Sequence, residues 1–382
     1  MIHPEMPAFS VLSLLALLGE RTRTGRKVYR HHLYGHIGAR VRGEGFMMRF
    51  INDIVKQQYG LEVYESKRLA IGAGSNTYFL RTNAGKFILK NASASEINNP
   101  QNEPALCEHL LRKGLPVSEF VRNLSGEYLW SHEGAVYHMQ KFVEGETPDW
   151  HTAGDALLGE FAQTLAKIHV ALLDYPPLPV GIGEGFFQHM TPGNALKSYK
   201  KSYKHAKSIG DTASLEGLDF RIKLMKRFAV PPIRLDLLTR KNTHGDYFIS
   251  QLICGENKIN AVIDWTTACV HPVVWEIIRS YIYAAPECAS GEISPARLVA
   301  YAAQYLKHAS LTAYDIQMMP YVFYYQIAVC DYYNQYYQST AGNRDIYLRQ
   351  AILSTKLMRW FDRNIGELAA IMAKEFRTST CG

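Results

Sequence analysis

The chain has 382 residues, 47% of them apolar and 20% charged, with a formal net charge of +7. That length accommodates about two domains and a sizeable core, and the composition is that of an ordinary globular protein. No uninterrupted apolar run reaches the ~18 residues of a membrane span. Six scattered cysteines without a C-x-x-C pair argue against a zinc site or a disulfide framework, and for a reducing, cytoplasmic setting.

The charge is unevenly placed. Residues 1–47 hold seven Lys/Arg against three Glu, so the body of the protein is nearly neutral and nucleic acid is not indicated as its partner. The apolar stretch Phe9–Leu18 lacks the basic flank and cleavage site of a signal peptide, and Arg21–Arg42 has no clear period. Residues 1–47 are therefore expected to form a flexible basic extension, with Met47 and Met48 marking a candidate functional start.

From Met48 the pattern becomes regular. Phe50, Ile51, Ile54 and Val55 are spaced for a helix over Phe50–Tyr59. Strand-like stretches follow at Glu62–Ile71, Asn76–Thr82 and Lys86–Asn91, joined by Gly72-Ala73-Gly74-Ser75 and Thr82-Asn83-Ala84-Gly85. A plain hairpin explains the first glycine turn, although such a turn can also lay backbone N–H groups over a phosphate. Lys90 closes the apolar run Phe87-Ile88-Leu89, the place of a solvated edge residue. Glu103 then opens a helix with apolar positions Leu106, Leu110 and Leu111, closed by Gly114. A strand lysine steadied by a helix glutamate is an arrangement used to hold nucleotide phosphates. Glu108 is the competing carboxylate, one turn further on.

Val117–Val121, Tyr128–Ser131 and Ala135–Phe142 complete a sheet of about five strands, and Glu144–Pro148 breaks the pattern at a domain boundary. Beyond it the chain turns helical. Leu157, Leu158, Phe161, Leu165, Ile168 and Leu172 form an amphipathic stripe, with His169 beside it as a structural histidine rather than a ligand. Five lysines between Lys197 and Lys207 read as a solvated helix face. The C-terminal third is expected to be helical over Pro295–His308, Ala313–Tyr337 and Arg344–Phe376. Its crowded tyrosines are expected to pack in the core, with an aromatic substrate wall as the sharper alternative.

The chemistry concentrates in His244-Gly245-Asp246-Tyr247-Phe248-Ile249-Ser250-Gln251. A short hairpin follows, Leu252–Cys254 and Ile259–Ile263, and Asp264 comes directly after it. Antiparallel strands return the chain to where it began, so Asp246 and Asp264 should be neighbours although 18 positions apart. Paired carboxylates beside a His-Gly loop suit metal-assisted transfer, one as base and the other holding a cation. The competing reading is that both aspartates merely cap turns.

Over Glu62–Arg279 these pieces resemble the aminoglycoside phosphotransferase / choline kinase-like superfamily, most specifically in Thr243-His244-Gly245-Asp246 and Val262-Ile263-Asp264-Trp265. The resemblance extends to a spore-coat-associated branch. It implies an α+β, two-lobed protein kinase-like fold: a small antiparallel-sheet N-lobe with one helix over 48–145, and a larger, mainly helical C-lobe over 146–382. By that resemblance Asp246 is the catalytic base, and Asp264 with Gln251 holds Mg2+. Lys90, fixed by Glu103, meets the ATP phosphates. Gly72, Gly74 and Ser75 cover the nucleotide, and backbone groups around Gln140, Lys141 and Val143 meet the adenine. Two departures stand out: Gln251 replaces the family's asparagine, and Trp275-Glu276 stands where a second aspartate is usual. The implied activity is ATP-dependent phosphoryl transfer to a hydroxyl of a small molecule. The alternative is an inactive or weakly active kinase-like protein with a structural role.

Overall fold

The computed structural model describes residues 37–69, 75–93, 102–256, 258–339 and 341–376. The chain forms two compact units: residues through Leu111 with Val117–Glu144, and Arg112–Pro116 with the chain from Gly145 onward.

In the first unit, helix α1 (Ile37–Tyr59) precedes strands β1 (Val63–Leu69), β2 (Ser75–Thr82) and β3 (Gly85–Ser93). Helix α2 (Asn102–Arg112) follows, then β4 (Phe120–Val121), β5 (Leu129–His132) and β6 (Ala135–Lys141). The six strands form one antiparallel sheet in the order β1-β2-β3-β6-β4, with β5 also on β6. Period-2 alternation sorts its side chains. Tyr78, Leu89 and Met139 lie in one cross-strand row and pack with Leu80, Phe87 and Tyr137 against Ile51, Ile54 and Val55 of α1. Leu89 is fully buried there, and its truncation to Ala would cost about 2–5 kcal/mol. The alternate rows, Thr77–Lys90–His138 and Phe79–Ile88–Gln140, lie on the opposite face. Helix α1 begins well before the stripe at Phe50. Strand β3 runs three residues past Lys90, so that lysine stands inside a strand rather than at its end.

The second unit is mainly helical: α3 (Asp155–Ala171), α4 (Glu184–His189), α5 (Pro192–Ile209) and α6 (Thr212–Met225) precede two small sheets. Strands β7 (Arg240–Thr243) and β10 (Cys269–Pro272) pair antiparallel, as do β8 (Leu252–Cys254) and β9 (Ile259–Val262). Helices α7 (Val273–Ala284), α8 (Pro295–Leu306), α9 (Ala313–Val329), α10 (Tyr332–Gln338) and α11 (Ala341–Glu375) complete the unit. Among the described residues one segment, Asp155–Asp174, is long and apolar enough to span a bilayer by length and composition. Of its apolar window 56% is buried inside the protein, where Leu158, Phe161, Leu165 and Ile168 fill the core.

Helix α5 is cut cleanly at both ends: Thr191 Oγ1 accepts from Asn194 N–H, Pro192 opens the first turn, and Gly210 closes it at φ 71°. Its buried residues Ala195, Tyr199, Ser202 and Ala206 fall opposite the exposed lysines, the pattern of a solvated outer face. The single helix expected over Ala313–Tyr337 is two. The break falls at Cys330-Asp331, where Asp331 caps α10 and the Tyr199 hydroxyl donates to Ala328 O at 2.7 Å and Cys330 O at 2.9 Å. Tyr324, Tyr332, Tyr333 and Tyr336 are buried, as packing tyrosines should be.

Arg221 heads the fully buried large side chains among the described residues. Its guanidinium donates to Thr355 Oγ1 at 2.8 Å, Tyr199 OH at 2.8 Å, Ile327 O at 3.3 Å, Ser354 Oγ at 2.5 Å and Ala351 O at 3.5 Å. One side chain on α6 thus joins α5, α9 and α11 through neutral acceptors, which satisfies an otherwise costly buried charge.

Candidate active site

The stretch His244–Gln251 runs from β7 into a single 3-10 turn, Ile249–Gln251, and on into the β8–β9 hairpin. Its shape depends on Gly245. At φ 81° this residue adopts a conformation that side chains avoid, and a Cβ there would stand 2.1 Å from Thr267 O. His244 holds the other side of the turn. Its Nε2 donates to Ile263 O at 3.0 Å while Nδ1 accepts from Asp246 N–H at 3.3 Å, so the partners fix the neutral tautomer, and burial lowers its basicity further.

Helix α7 grips this loop with side chains one turn apart. Glu276 Oε1 accepts from Gly245 N–H at 2.7 Å, and Oε2 pairs with His169 Nε2 at 2.9 Å. His169 Nδ1 meets Tyr305 OH at 2.9 Å. His169 is thus a satisfied core histidine. Burial pushes the Glu276 carboxyl up, but the His169 bond and the neighbouring histidines pull it below its ordinary value, so it remains a carboxylate. Arg279 Nη1 donates to Gly245 O at 3.3 Å, and Nη2 to Asp246 Oδ1 at 2.8 Å. Its guanidinium centre lies 3.9 Å from the Phe248 ring centroid and 4.6 Å from that of Trp275. Trp150 Nε1 donates to Ser250 Oγ at 3.1 Å, adding a further tie to the loop.

Asp246 is 2% exposed, and its second oxygen, Oδ2, has no hydrogen-bond partner among the described residues. Burial raises its carboxyl to about 6; Arg279 opposes that rise, Asp264 adds to it, and the Gln251 amide opposes it. The two aspartates do feel each other, as the hairpin implies: β8 pairs with β9, Leu252 opposite Val262, and Ile263 N–H donates to Gln251 O at 2.9 Å. Asp264 takes the left-handed conformation at φ 64°, its Oδ1 accepting from Thr266 Oγ1 at 2.9 Å. Backbone strain of this kind gathers at functional sites. The reading of both aspartates as mere turn caps does not describe Asp246, which is buried, ion-paired and caps nothing. Asp264 and Gln251 offer a carboxylate and an amide oxygen, hard donors that suit Mg2+. Among the described residues no three His, Cys, Asp or Glu gather into a metal cage, and Mg2+ commonly needs only one or two protein carboxylates beside phosphate and water.

In the first unit Lys90 lies opposite Thr77 on β2 and His138 on β6. Burial, then the Lys90 charge, push the His138 ring down to about 3. Glu103 is 4% exposed in the first turn of α2, and the Cys107 thiol is raised well above its ordinary value by burial and by Glu103, while Lys90 opposes. Lys90 and Glu103 thus share one neighbourhood. Glu108 is exposed, meeting Tyr128 OH at 3.3 Å. Gln140 is buried; Lys141 N–H donates to Glu119 O at 2.8 Å and Phe142 N–H to Lys86 O at 3.1 Å, whereas Val143 N–H has no partner among the described residues. Gly72 and Gly74 lie outside the described residues, and Ser75 opens β2 without a described side chain.

Residues 65–315 match the phosphotransferase enzyme family. The chain belongs to that family. Its similarity to a homoserine kinase of Hyphomonas neptunium (strain ATCC 15444) is 25% identity over 222 residues, covering 56% of this chain and 62% of the relative, so the chain spans less than two thirds of that protein. A microcompartment-associated aminopropanol kinase has a similar structure, with TM-score 0.57, 12% identity, and coverage of 84% of this chain and 98% of the other. So does an amicoumacin kinase solved with AMP-PNP and Ca2+, with TM-score 0.56, 12% identity, and coverage of 84% and 96%. At these identities the likeness carries the fold, an antiparallel-sheet unit and a helical unit. In this member of the family Glu276 and Arg279 are not part of any motif that the sequence displays. The signal was there: two charges three positions apart inside Val273–Ala284, a helix that is otherwise almost wholly apolar.

Proposed function

We propose that the chain transfers the γ-phosphate of ATP to a hydroxyl group of a small molecule, in a cytoplasmic setting. The observation that carries this reading is Asp246: a buried carboxylate on a glycine-hinged loop, with Oδ1 held by Arg279, Oδ2 outside hydrogen-bonding geometry among the described residues, and the Gln251 amide close enough to lower the carboxyl. Phosphoryl transfer asks the protein chiefly for positioning and charge neutralisation. Asp246 Oδ2 accepts the proton of the acceptor hydroxyl while that oxygen forms its bond to the γ-phosphorus. The bond from phosphorus to the β–γ bridging oxygen breaks, its electron pair leaving with ADP, and the proton passes later to solvent. Lys90, with Glu103, binds the phosphates; Gly72, Gly74 and Ser75 cover them; and Gln140, Lys141 and Val143 meet the adenine, with Val143 N–H as the candidate donor. Asp264 and Gln251 would hold Mg2+, which when bound neutralises phosphate charge. Nucleotide recognition thus falls to 48–145 and acceptor activation to 146–382, with residues 1–47 as an accessory basic segment whose last residues, from Ile37, begin α1.

ADP release from Mg2+–ATP across homoserine, 1-amino-2-propanol, choline and an aminoglycoside tests the reading. At least one acceptor is expected to raise turnover in the parent and not in Asp246→Ala; no difference on any acceptor overturns it. One observation favours a second reading, a silent kinase-like chain with a structural role. The Gln251 amide, longer by a methylene than asparagine, lies against Asp246, where it lowers that carboxyl. A thermal-shift titration separates the two: Mg2+–ATP stabilises an active phosphotransferase and does so less in Asp264→Ala, whereas a silent chain shows no shift.

A further inference from the structure

The contacts of Arg279 go beyond the general plan of the fold. Its guanidinium reaches two successive residues of the loop, Gly245 O at 3.3 Å and Asp246 Oδ1 at 2.8 Å. Glu276, one turn earlier on α7, takes Gly245 N–H at 2.7 Å, so both backbone groups of that glycine are held from the same helix. The arginine is itself fixed. Its side chain is 12% exposed, with the Phe248 ring at 3.9 Å and the Trp275 ring at 4.6 Å. Those rings supply the stacking that a planar guanidinium prefers and an ammonium lacks. Asp246 is left with Oδ1 committed to Arg279 and with buried Oδ2 outside hydrogen-bonding geometry among the described residues, the Gln251 amide lying near the carboxyl.

From this geometry we infer that Arg279 is a positioning residue for phosphoryl transfer: its stacked guanidinium sets the orientation of the Asp246 carboxylate and so selects Oδ2 as the atom facing the acceptor hydroxyl. The inference rests on the phosphotransferase reading given above. A carboxylate with neither oxygen anchored rotates about its terminal torsion among many orientations, few of which serve a base that must lie within hydrogen-bond reach of its proton. The fork geometry matters as well as the charge. Lysine can supply one donor to Asp246 but cannot also bridge to Gly245 O and lay a planar group over the Phe248 and Trp275 rings.

The test is steady-state ADP release by the full chain with Mg2+–ATP, using the best acceptor of the panel and water as the reference acceptor. Arg279→Ala is expected to lower kcat about 100-fold, within the ~10²–10⁴ that a positioned base contributes, and to leave KM for ATP within about twofold. Millimolar guanidinium chloride should restore at least tenfold of that loss by refilling the space beside Phe248 and Trp275, and equal sodium chloride should restore none. Arg279→Lys should fall between parent and Arg279→Ala, with thermal unfolding close to the parent's. A kcat for both variants within threefold of the parent overturns the inference. So does a loss in Arg279→Ala that guanidinium does not relieve, or one matched by an equal rise in KM for ATP. A parent chain that releases no ADP with any acceptor overturns the phosphotransferase reading itself, and this inference with it.

Discussion

Lys90 and Asp246 are placed by different means, although the proposed function gives a chemical role to both. Lys90 sits in a ladder: its neighbours on β2 and β6 are set by backbone pairing, and its face of the sheet follows from alternation along β3. Asp246 sits on a loop with no ladder of its own. Glu276 and Arg279, some thirty positions downstream, hold that loop through side chains. Position in a sheet is therefore distributed over many equivalent bonds, whereas position in the loop hangs on a few strong ones. Substitutions far from Asp246 should damage its half of the chemistry, and comparable changes around Lys90 should be milder.

The largest effect is expected for Glu276→Ala, which leaves His169 and Gly245 N–H without their shared buried partner. Removing one member of a buried pair costs about 3–5 kcal/mol, read as a lowered thermal midpoint and lost ADP release. Asp246→Asn comes next: kcat drops on the order of 10³-fold, with little change in the circular dichroism spectrum. Activity and pH sharpen the same contrast. A base raised to about 6 must be ionised to work, so kcat/KM should fall as pH drops through about 6 and level off above it. A limb near 4 instead would show that burial leaves Asp246 at its ordinary value. Gly245→Ala meets Thr267 O and a left-handed φ, costing about 1–3 kcal/mol in unfolding free energy. In the sheet unit, Glu108→Ala should stay within about 0.5 kcal/mol of the parent and keep the parent KM for ATP, whereas Glu103→Ala raises it. Equal effects of those two would break the assignment of Glu103 to Lys90.

Much of the fold was legible because the sheet and the long helices write their periods into the chain. Tyr78, Leu80, Phe87 and Leu89 alternate, and the stripe from Leu158 to Ile168 repeats at helical spacing. The hairpin that brings Asp246 towards Asp264 was legible from turn residues alone. What escaped were features decided by tertiary contact. The break at Cys330-Asp331 lies within a run of good helix residues and is held open by Tyr199, far away in sequence. The grip of α7 on Gly245 follows from packing depth, which a motif does not record. Glu276 stood out only as a departure from an expected aspartate, when in fact it is the carboxylate that fixes the loop.

The family match ends at residue 315, but the fold does not. Arg221 lies inside the matched region, yet four of its five acceptors, on Ile327, Ala351, Ser354 and Thr355, lie beyond it. A chain shortened at the boundary would leave a buried guanidinium with most of its donors unmet, each costing about 1–3 kcal/mol. Any truncated form meant to be the minimal folded chain must keep α11, and a protease that nicks the chain between α9 and α11 should release no folded core.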